Sequence, residues 1–532
     1  MLDDPRVRSR LIPVLAGGVT ALLGTGIVLT HRAGLSAGLA LVVASVYLLR
    51  RRAGALWATV ALLGYVSVRD VRVEHEPWEA LLAMAAMAVL LANREAFCVR
   101  LAPRDSQRAA WLAAQTGAAA LAAGAVVLAV ARPDAPLGGL PGAFRDDLAL
   151  LSMTSSPFGV ATTAAWVPVV LGVVGALAFL RIAWLLCRRP VPAPTGVPLE
   201  HVARLVRAHG TDTLSAFKLR ADLEHLTSPC GEAVVSYRVA SGVLLVAGDP
   251  LGPPDTHGAL LTSARLHAAG HGLRLGVLGA SEELAGAARA MGLRSLYVGD
   301  EAVVDTAGFA LEGRRVKKLR QAVGRVERHG YAVELRHHET LTPAELDELE
   351  ALSERARTGA PERGFSMALE SLRGEHLAGS WVVVAREAGG AARAFLHFTP
   401  THGRPAASLG FMRRDRDTPN GLIDFLVVRA IEGLRAEGIE ELSLNFAAFG
   451  RYLRAPASRA ERVAGRVATA LDRVLQIESL YRFNRKFGPR WVPRYLVYES
   501  RMSLARTGIA AMRVEGQLGA VLPAALAARG RG

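Results

Sequence analysis

Six uncharged, apolar runs fill the first 190 residues of this chain, at 11–30, 33–49, 53–68, 80–93, 109–131 and 160–180. A helix needs about 20 apolar residues to cross the hydrocarbon of a bilayer. Two runs are long, two are adequate and two are short. The third and fourth also suit a buried or re-entrant segment. The charges between the runs arbitrate. Arg6, Arg8 and Arg10, then Arg50, Arg51 and Arg52, then Arg94, Arg100, Arg104 and Arg108, then Arg188 and Arg189 fall on alternate connections, and the others hold few or mixed charges. The positive-inside bias therefore predicts about six spans with both ends cytoplasmic, a multi-pass cell-membrane protein whose remainder lies in the cytosol. The first run exceeds the apolar core of a signal peptide and others follow it, so no cleavable signal is expected. Glu79 and Arg181 lie near run ends, and an ion or substrate path would need ionisable groups deeper inside. The pattern favours a membrane anchor, with lipid translocation as the alternative.

After the Pro-rich spacer RRPVPAPTGVP at 188–198 the periodicity changes. Strand patterns at 232–239 and 243–248 flank a Ser241-Gly242 turn. A helix at 258–269, a strand at 273–278, a helix at 281–291 and a strand at 293–298 follow. The pattern then restarts. Val316, Leu319, Val323 and Val326 predict an amphipathic helix over 314–329, whose other faces carry Arg314, Arg315, Lys317, Lys318, Arg320, Arg325 and Arg328. That basic surface is either a solvated face or one turned toward tRNA or lipid. Thr342, Pro343 and Glu345 form a capping box that starts the next helix. Strands at 380–387, 391–400 and 406–412, a helix at 420–435 and a strand at 441–446 complete it. Two α/β units of similar order predict a duplicated domain, without a residue-level repeat. The expected division is a transmembrane part at 1–189, a linker at 190–198, a first α/β part at 199–305, a second carrying the site at 306–502, and a tail at 503–532 whose Ala/Gly/Arg composition suits a surface helix or disorder equally.

A net charge of +15 favours anionic partners, phospholipid headgroups or nucleic acid. Four of the 63 basic residues are Lys, however, and an Arg bias this heavy reads as a GC-rich genome rather than phosphate recognition. Cys98, Cys187 and Cys230 stand far apart without CxxC or paired His, which argues against a disulfide framework and a zinc site. There is no GxxxxGKS/T or HExxH, no GxSxG elbow, since GLSAG at 34–38 lies inside an apolar run, and no GxGxxG opening a βαβ unit. No cofactor and no metal are expected.

Candidate chemistry is densest in SLGFMRRDRDTPNGLIDFLVVRAIEGL, residues 408–434. A strand ends in a polar loop that opens onto a helix N-terminus, where backbone amides favour developing negative charge. Asp424 sits there among Leu422, Ile423, Phe425, Leu426, Val427 and Val428, a setting in which a carboxylate is paired or working, or else favours the first turn electrostatically. Arg413, at the strand end, could pair with it or hold a substrate carbonyl. Asn445, a polar group in the apolar LSLNFAAFG, could line the same crevice. Near the end, LYRFNRKFGPRWVPRYLVYES interleaves aromatics with Arg and Lys, although Phe483, Phe487 and Trp491 at spacings of four also suit a helix core.

These stretches carry a resemblance. From about 216 to 500 the chain resembles the synthase domain of the lysylphosphatidylglycerol synthetases, the phosphatidylglycerol lysyltransferases of the multiple peptide resistance factor type, through VLLVAGDPLGP, VGDEAVVDTAGFALEGRRVKKLRQAVGRVERHGY, FMRRDRDTPNGLIDFL, LNFAAFG and LYRFNRKFGPRWVPRYL in order. The spacing of the last two is most like the actinobacterial branch, some of whose members carry a fused lysyl-tRNA synthetase; here a separate aminoacyl-tRNA synthetase is the expected supplier. The resemblance implies a cytosolic tandem acetyltransferase-like (GNAT) α/β fold that moves an aminoacyl group, lysyl in the family, from aminoacyl-tRNA to the headgroup hydroxyl of phosphatidylglycerol, making a less anionic lipid. It implies that Asp424 binds the substrate amino group or takes the hydroxyl proton, and that Arg413 and Asn445 steady the carbonyl. Lys486, Arg494 and Tyr495, with Trp491, would hold the lipid phosphate or the tRNA end, and Asp249, Arg320 and Gln321 would add substrate contacts. Where the family commonly has Asp in DLMR, this chain has Gly410 in GFMR, and its membrane part is shorter than the family's flippase region. The alternatives are an aminoacyltransferase acting on a cell-wall precursor, or a lipid flippase with a regulatory soluble domain.

Overall fold

Four of the apolar runs form helices, Pro5–Thr30 (α1), Leu35–Leu49 (α2), Ala53–Arg69 (α3) and Pro77–Ala92 (α4). The computed structural model describes residues 5–30, 35–49, 51–69, 77–97, 99, scattered positions from 107 to 118, 192, 194–357, most of 365–380, 381–448 and 477–517. The run at 160–180 and most of that at 109–131 lie outside the described residues. At 15, 17 and 16 residues, α2, α3 and α4 are about 23 to 26 Å long, short of a hydrocarbon thickness of about 30 Å. Among the described residues no helix is long and apolar enough to cross a membrane. Leu41, Leu48, Leu56, Leu63 and Leu90 pack inward in this part, while Leu22, Trp57, Trp78 and Leu81 are more than half exposed.

The chain divides into two compact units, residues 1–192 with 269–272, and residues 193–268 with 273–532. The second unit holds an eleven-stranded sheet. Its first strands are Glu224–Thr227 (β1), Val234–Ala240 (β2) and Val243–Ala247 (β3), antiparallel, and Arg274–Ala280 (β4), parallel to β3. The parallel step needs a crossover, supplied by helix His257–Gly270. Ala332–His337 (β6), Trp381–Arg386 (β7), Ala392–Thr401 (β8) and Ala406–Arg414 (β9) repeat the antiparallel run, and Glu441–Ala448 (β10) repeats the parallel step. An antiparallel run followed by a parallel step thus occurs twice along the sheet.

The last strand of each half is exchanged. Arg294–Asp305 (β5) follows β4 in the chain but pairs with β10, and Arg490–Tyr498 (β11) follows β10 but pairs with β4, while β5 and β11 pair with each other. Pro493 sits in this central strand because it lies opposite Asp300 of β5, before the pairing with β4 begins at Tyr495.

In the second half, alternating side chains fill two layers. Val383, Ala385 and Leu396 pack with helices Lys317–Arg328 (named α8 hereafter) and Leu422–Ala436 (α10), whereas Val382, Val384 and Phe395 pack with Leu349 and Leu352 of helix Pro343–Arg357 (α9). The remaining helices of the unit are Leu199–His209 (α5), His257–Gly270 (α6), Glu282–Ala290 (α7), Ile477–Arg485 (α11) and Arg501–Val514 (α12). Several elements exceed the sequence expectation. β1, α5 and β6 are additional, and β5 runs on to Asp305 rather than stopping at 298. The aromatic-basic stretch divides where Gly488, at φ 66°, ends α11's final turn and β11 begins. Phe483 and Phe487 do meet edge to face, 5.4 Å apart, but Trp491 belongs to β11 and stacks on Tyr481.

Candidate active site

Helix α10 opens at Gly421, whose φ of 99° is one that L side chains rarely adopt and whose place against Ala322 of α8 leaves little room for a Cβ. No side chain caps this end. Leu422, Phe425 and Leu426 are buried beneath it, and the next position round the helix carries Asp424, its side chain 13% exposed. Lys486, just past α11, donates to both carboxylate oxygens of Asp424 at 2.7 and 2.8 Å. A carboxylate at the edge of an apolar helix is thus paired with a half-exposed ammonium.

The loop before α10 borders an open groove of about 690 Å³, lined also by Arg325 and His329 of the basic helix region and by Tyr331, Arg416 and Asn420. One side of the basic helix therefore faces this groove. Arg320 turns its guanidinium onto the Leu311 and Gly313 carbonyls, and Gln321 is exposed.

The pairing of Arg413 with Asp424 that the sequence leaves open is not made. Gly410 forms a bulge against β8, where the register shifts between His397 and Phe398. Phe411 then packs with the α9 layer, and Arg413 follows it, donating to Ser353 Oγ on α9 at 3.1 Å and lying over the Phe411 ring. Asp424 belongs to the opposite layer. A side chain at Gly410 would meet His397 Nδ1 at 2.9 Å and Leu369 Cδ1 at 3.1 Å, so the space is filled by those two residues.

Strands β9 and β10 pair over Ala406–Ser408 and Glu441–Ser443 and not beyond, so a gap opens after Ser443. Asn445 stands in that gap at φ 69°, with its Nδ2 donating to the Leu409 carbonyl. Its Oδ1 is buried and has no hydrogen-bond partner among the described residues. The Asn445 side chain thus offers an acceptor, whereas steadying a carbonyl calls for a donor.

Three other residues expected at substrate are engaged by side chains of the fold. Arg494 is 3% exposed and its guanidinium is committed to Asp212 and Glu301. Tyr495 packs edge to face on Tyr297 against the first half's core, and Asp249 accepts from Ser281 N at 2.9 Å and Ser281 Oγ at 2.5 Å. Burial moves Arg494 from substrate contact to the scaffold.

Asp249 instead lines a cavity of about 320 Å³ in the first half, with Asp212 and Lys218. Lys218 is 3% exposed and donates to the Ala247 carbonyl. Sequence reading missed Lys218, Asp212 and Glu301. The available signals were a rare lysine inside the apolar LSAFKL and a glutamate inside the β5 run. Burial raises the Asp212 carboxyl, but the charge and hydrogen bonds of Arg494 and the Leu214 amide outweigh it and hold it well below the usual carboxylate range. Burial and the Asp212 charge push Asp249 up. Burial pushes Lys218 down to about 8 from 10.5, against the pull of Asp212 and Asp249. Between those two values the unfolded chain holds a proton that the folded chain lacks. Stability is therefore expected to rise with pH across that window and to fall as pH drops through 8. Urea unfolding of wild type and Lys218→Met checks this: the difference in their stabilities should change across the window, and parallel curves would contradict it.

The family model described as phosphatidylglycerol lysyltransferase, C-terminal, matches residues 203–498. The chain is 36% identical over 363 residues to the lysylphosphatidylglycerol biosynthesis bifunctional protein LysX of Nocardia farcinica, and 36% identical over 359 residues to that of Rhodococcus opacus. Both alignments cover 66% of this chain and 32% of the relative, so the chain spans about a third of their length. Among solved structures, the C-terminal domain of a lysylphosphatidylglycerol synthetase from Agrobacterium fabrum aligns at a TM-score of 0.52 and 25% identity, over 60% of this chain and 98% of that one. L-PGS from Bacillus licheniformis aligns at 0.53 and 23% identity, over 61% and 99%, and supports the fold. The second unit has the fold of these two synthetase structures.

Proposed function

We propose that this chain, which belongs to the phosphatidylglycerol lysyltransferase C-terminal family, transfers an aminoacyl group, lysyl by the family's name, from a charged tRNA to the headgroup hydroxyl of phosphatidylglycerol. The observation that carries the reading is the Asp424–Lys486 pair at the uncapped start of α10, the helix whose preceding loop, 416–420, lines the groove with Arg325 and His329. The groove's basic residues suit the phosphates of a tRNA acceptor end. The lipid hydroxyl oxygen attacks the ester carbonyl carbon, Asp424 takes the hydroxyl proton, and the ribose oxygen leaves and recovers that proton. One ester is exchanged for another, so the step balances without ATP and rests on positioning and proton transfer. Lys486 keeps the Asp424 carboxylate oriented and adds positive charge near the developing oxyanion.

The N-terminal unit is the membrane part of this reading. Its six apolar runs, the alternating Arg clusters and the exposed Leu22, Trp57, Trp78 and Leu81 support a multi-pass anchor that keeps the catalytic unit at the cytosolic face, near its lipid. A purified sample of the full chain in phosphatidylglycerol vesicles, offered a panel of charged tRNAs, tests the activity. Aminoacyl label should enter the lipid phase from at least one tRNA, lysyl-tRNA first, and only when phosphatidylglycerol is present. Label moving equally without phosphatidylglycerol would contradict the acceptor.

A further inference from the structure

Glu301, on β5, has no part in the proton transfer, yet it is 1% exposed and fully hydrogen-bonded. Its Oε2 accepts from Arg494 Nε at 3.0 Å and Nη2 at 2.5 Å. Its Oε1 accepts from Thr213 Oγ1 at 2.6 Å and from Ser443 Oγ at 2.5 Å. The other edge of the Arg494 guanidinium donates to Asp212 at 2.8 and 2.6 Å. Ser443 Oγ in turn accepts the backbone N–H of Asn445 at 3.3 Å. One line of hydrogen bonds therefore runs from Asp212 through β11 and β5 into β10, and it ends at a bulge. There the pairing of β10 with β5 shifts between Ser443 and Phe446, and Asn445, not a glycine, takes a left-handed φ. Such a backbone persists where its surroundings over-determine it. A network that only filled the interior could end on an unstrained residue; this one ends on the residue whose carboxamide bridges to β9 and whose Oδ1 is buried without a partner among the described residues.

We propose that Glu301, Arg494 and Ser443 are positioning residues that set the Asn445 carboxamide oxygen in the β9–β10 gap as the acceptor for a substrate ammonium or hydroxyl. The proposal rests on the transferase reading for the identity of that donor. Ser443→Ala removes the last link while leaving Thr213 and Arg494 on Glu301. In the full-length chain it is expected to lower kcat by about 10- to 100-fold, the cost of a misplaced contact, with a melting temperature near that of wild type. Whichever KM rises with it, that for charged tRNA or that for phosphatidylglycerol, identifies the donor as the amino group or the hydroxyl. Hydrogen exchange at the Asn445 amide should quicken about tenfold, the fold-change expected when its acceptor is lost, and Ser443→Thr should restore both exchange and kcat. Unchanged exchange in Ser443→Ala, or unchanged kcat and KM beside an active wild type, overturns the proposal. Faster exchange in a protein whose wild type transfers nothing would uphold the relay's hold on Asn445 and sink the transferase reading instead.

Discussion

Asp424→Ala is expected to cut aminoacyl transfer to phosphatidylglycerol by about 100-fold or more, the lower end of what a positioned acid-base group contributes. The loss should be chemical rather than structural. Asp424 lies at the edge of α10 with Lys486 43% exposed beside it, so removing the carboxylate strands no buried charge. The apolar positions that hold the helix, Leu422, Phe425 and Leu426, are untouched. Asp424→Asn should fail similarly, since it keeps the shape and loses the base. Vesicle transfer assays, with melting temperature as the control for folding, measure both. Wild-type turnover in either variant would remove Asp424 from the mechanism.

Arg494→Ala should have the largest effect on stability. Its guanidinium is 3% exposed and joins Asp212 to Glu301, so truncation leaves the enclosed Glu301 carboxylate, and the partly exposed Asp212, without this cation. Breaking a buried pair by removing one partner costs about 3 to 5 kcal/mol. The site is also the seam of the exchanged strands, where β11 pairs with β5. Arg494→Lys should rescue little, because one ammonium cannot reproduce two forked contacts. The urea midpoint reports this, and a loss below about 1 kcal/mol would show that the network is dispensable.

The contrast between these two residues shows what a sequence makes legible. Asp424 stands out because a carboxylate in an apolar helical run is locally anomalous, and its helix start is marked by the loop before it. The capping box at Thr342 is equally local, and the Thr342 and Glu345 side chains do bond reciprocally. Arg494 depends on pairing across 193 residues to Glu301 and 282 to Asp212, distances at which periodicity carries no information. The same holds for the insertion of β11 between β4 and β5. Arg413 was misplaced for a subtler reason. Strict alternation along FMRR would put it on a definite face, but the Gly410 bulge resets the alternation, and only pairing with β8 reveals it. Asn445 was legible as a polar residue in an apolar strand, whereas which of its two amide atoms is engaged required the partner on Leu409.

The direct measurement is a lipid extract from cells expressing the full chain, separated by thin-layer chromatography and stained with ninhydrin beside an extract from cells expressing Asp424→Ala. A new amine-positive phospholipid that yields phosphatidylglycerol on mild alkaline hydrolysis, present with the wild type and absent with the variant, is the predicted result. The same spot at equal strength in both, or no new spot from a wild type found folded in the membrane, would contradict the account.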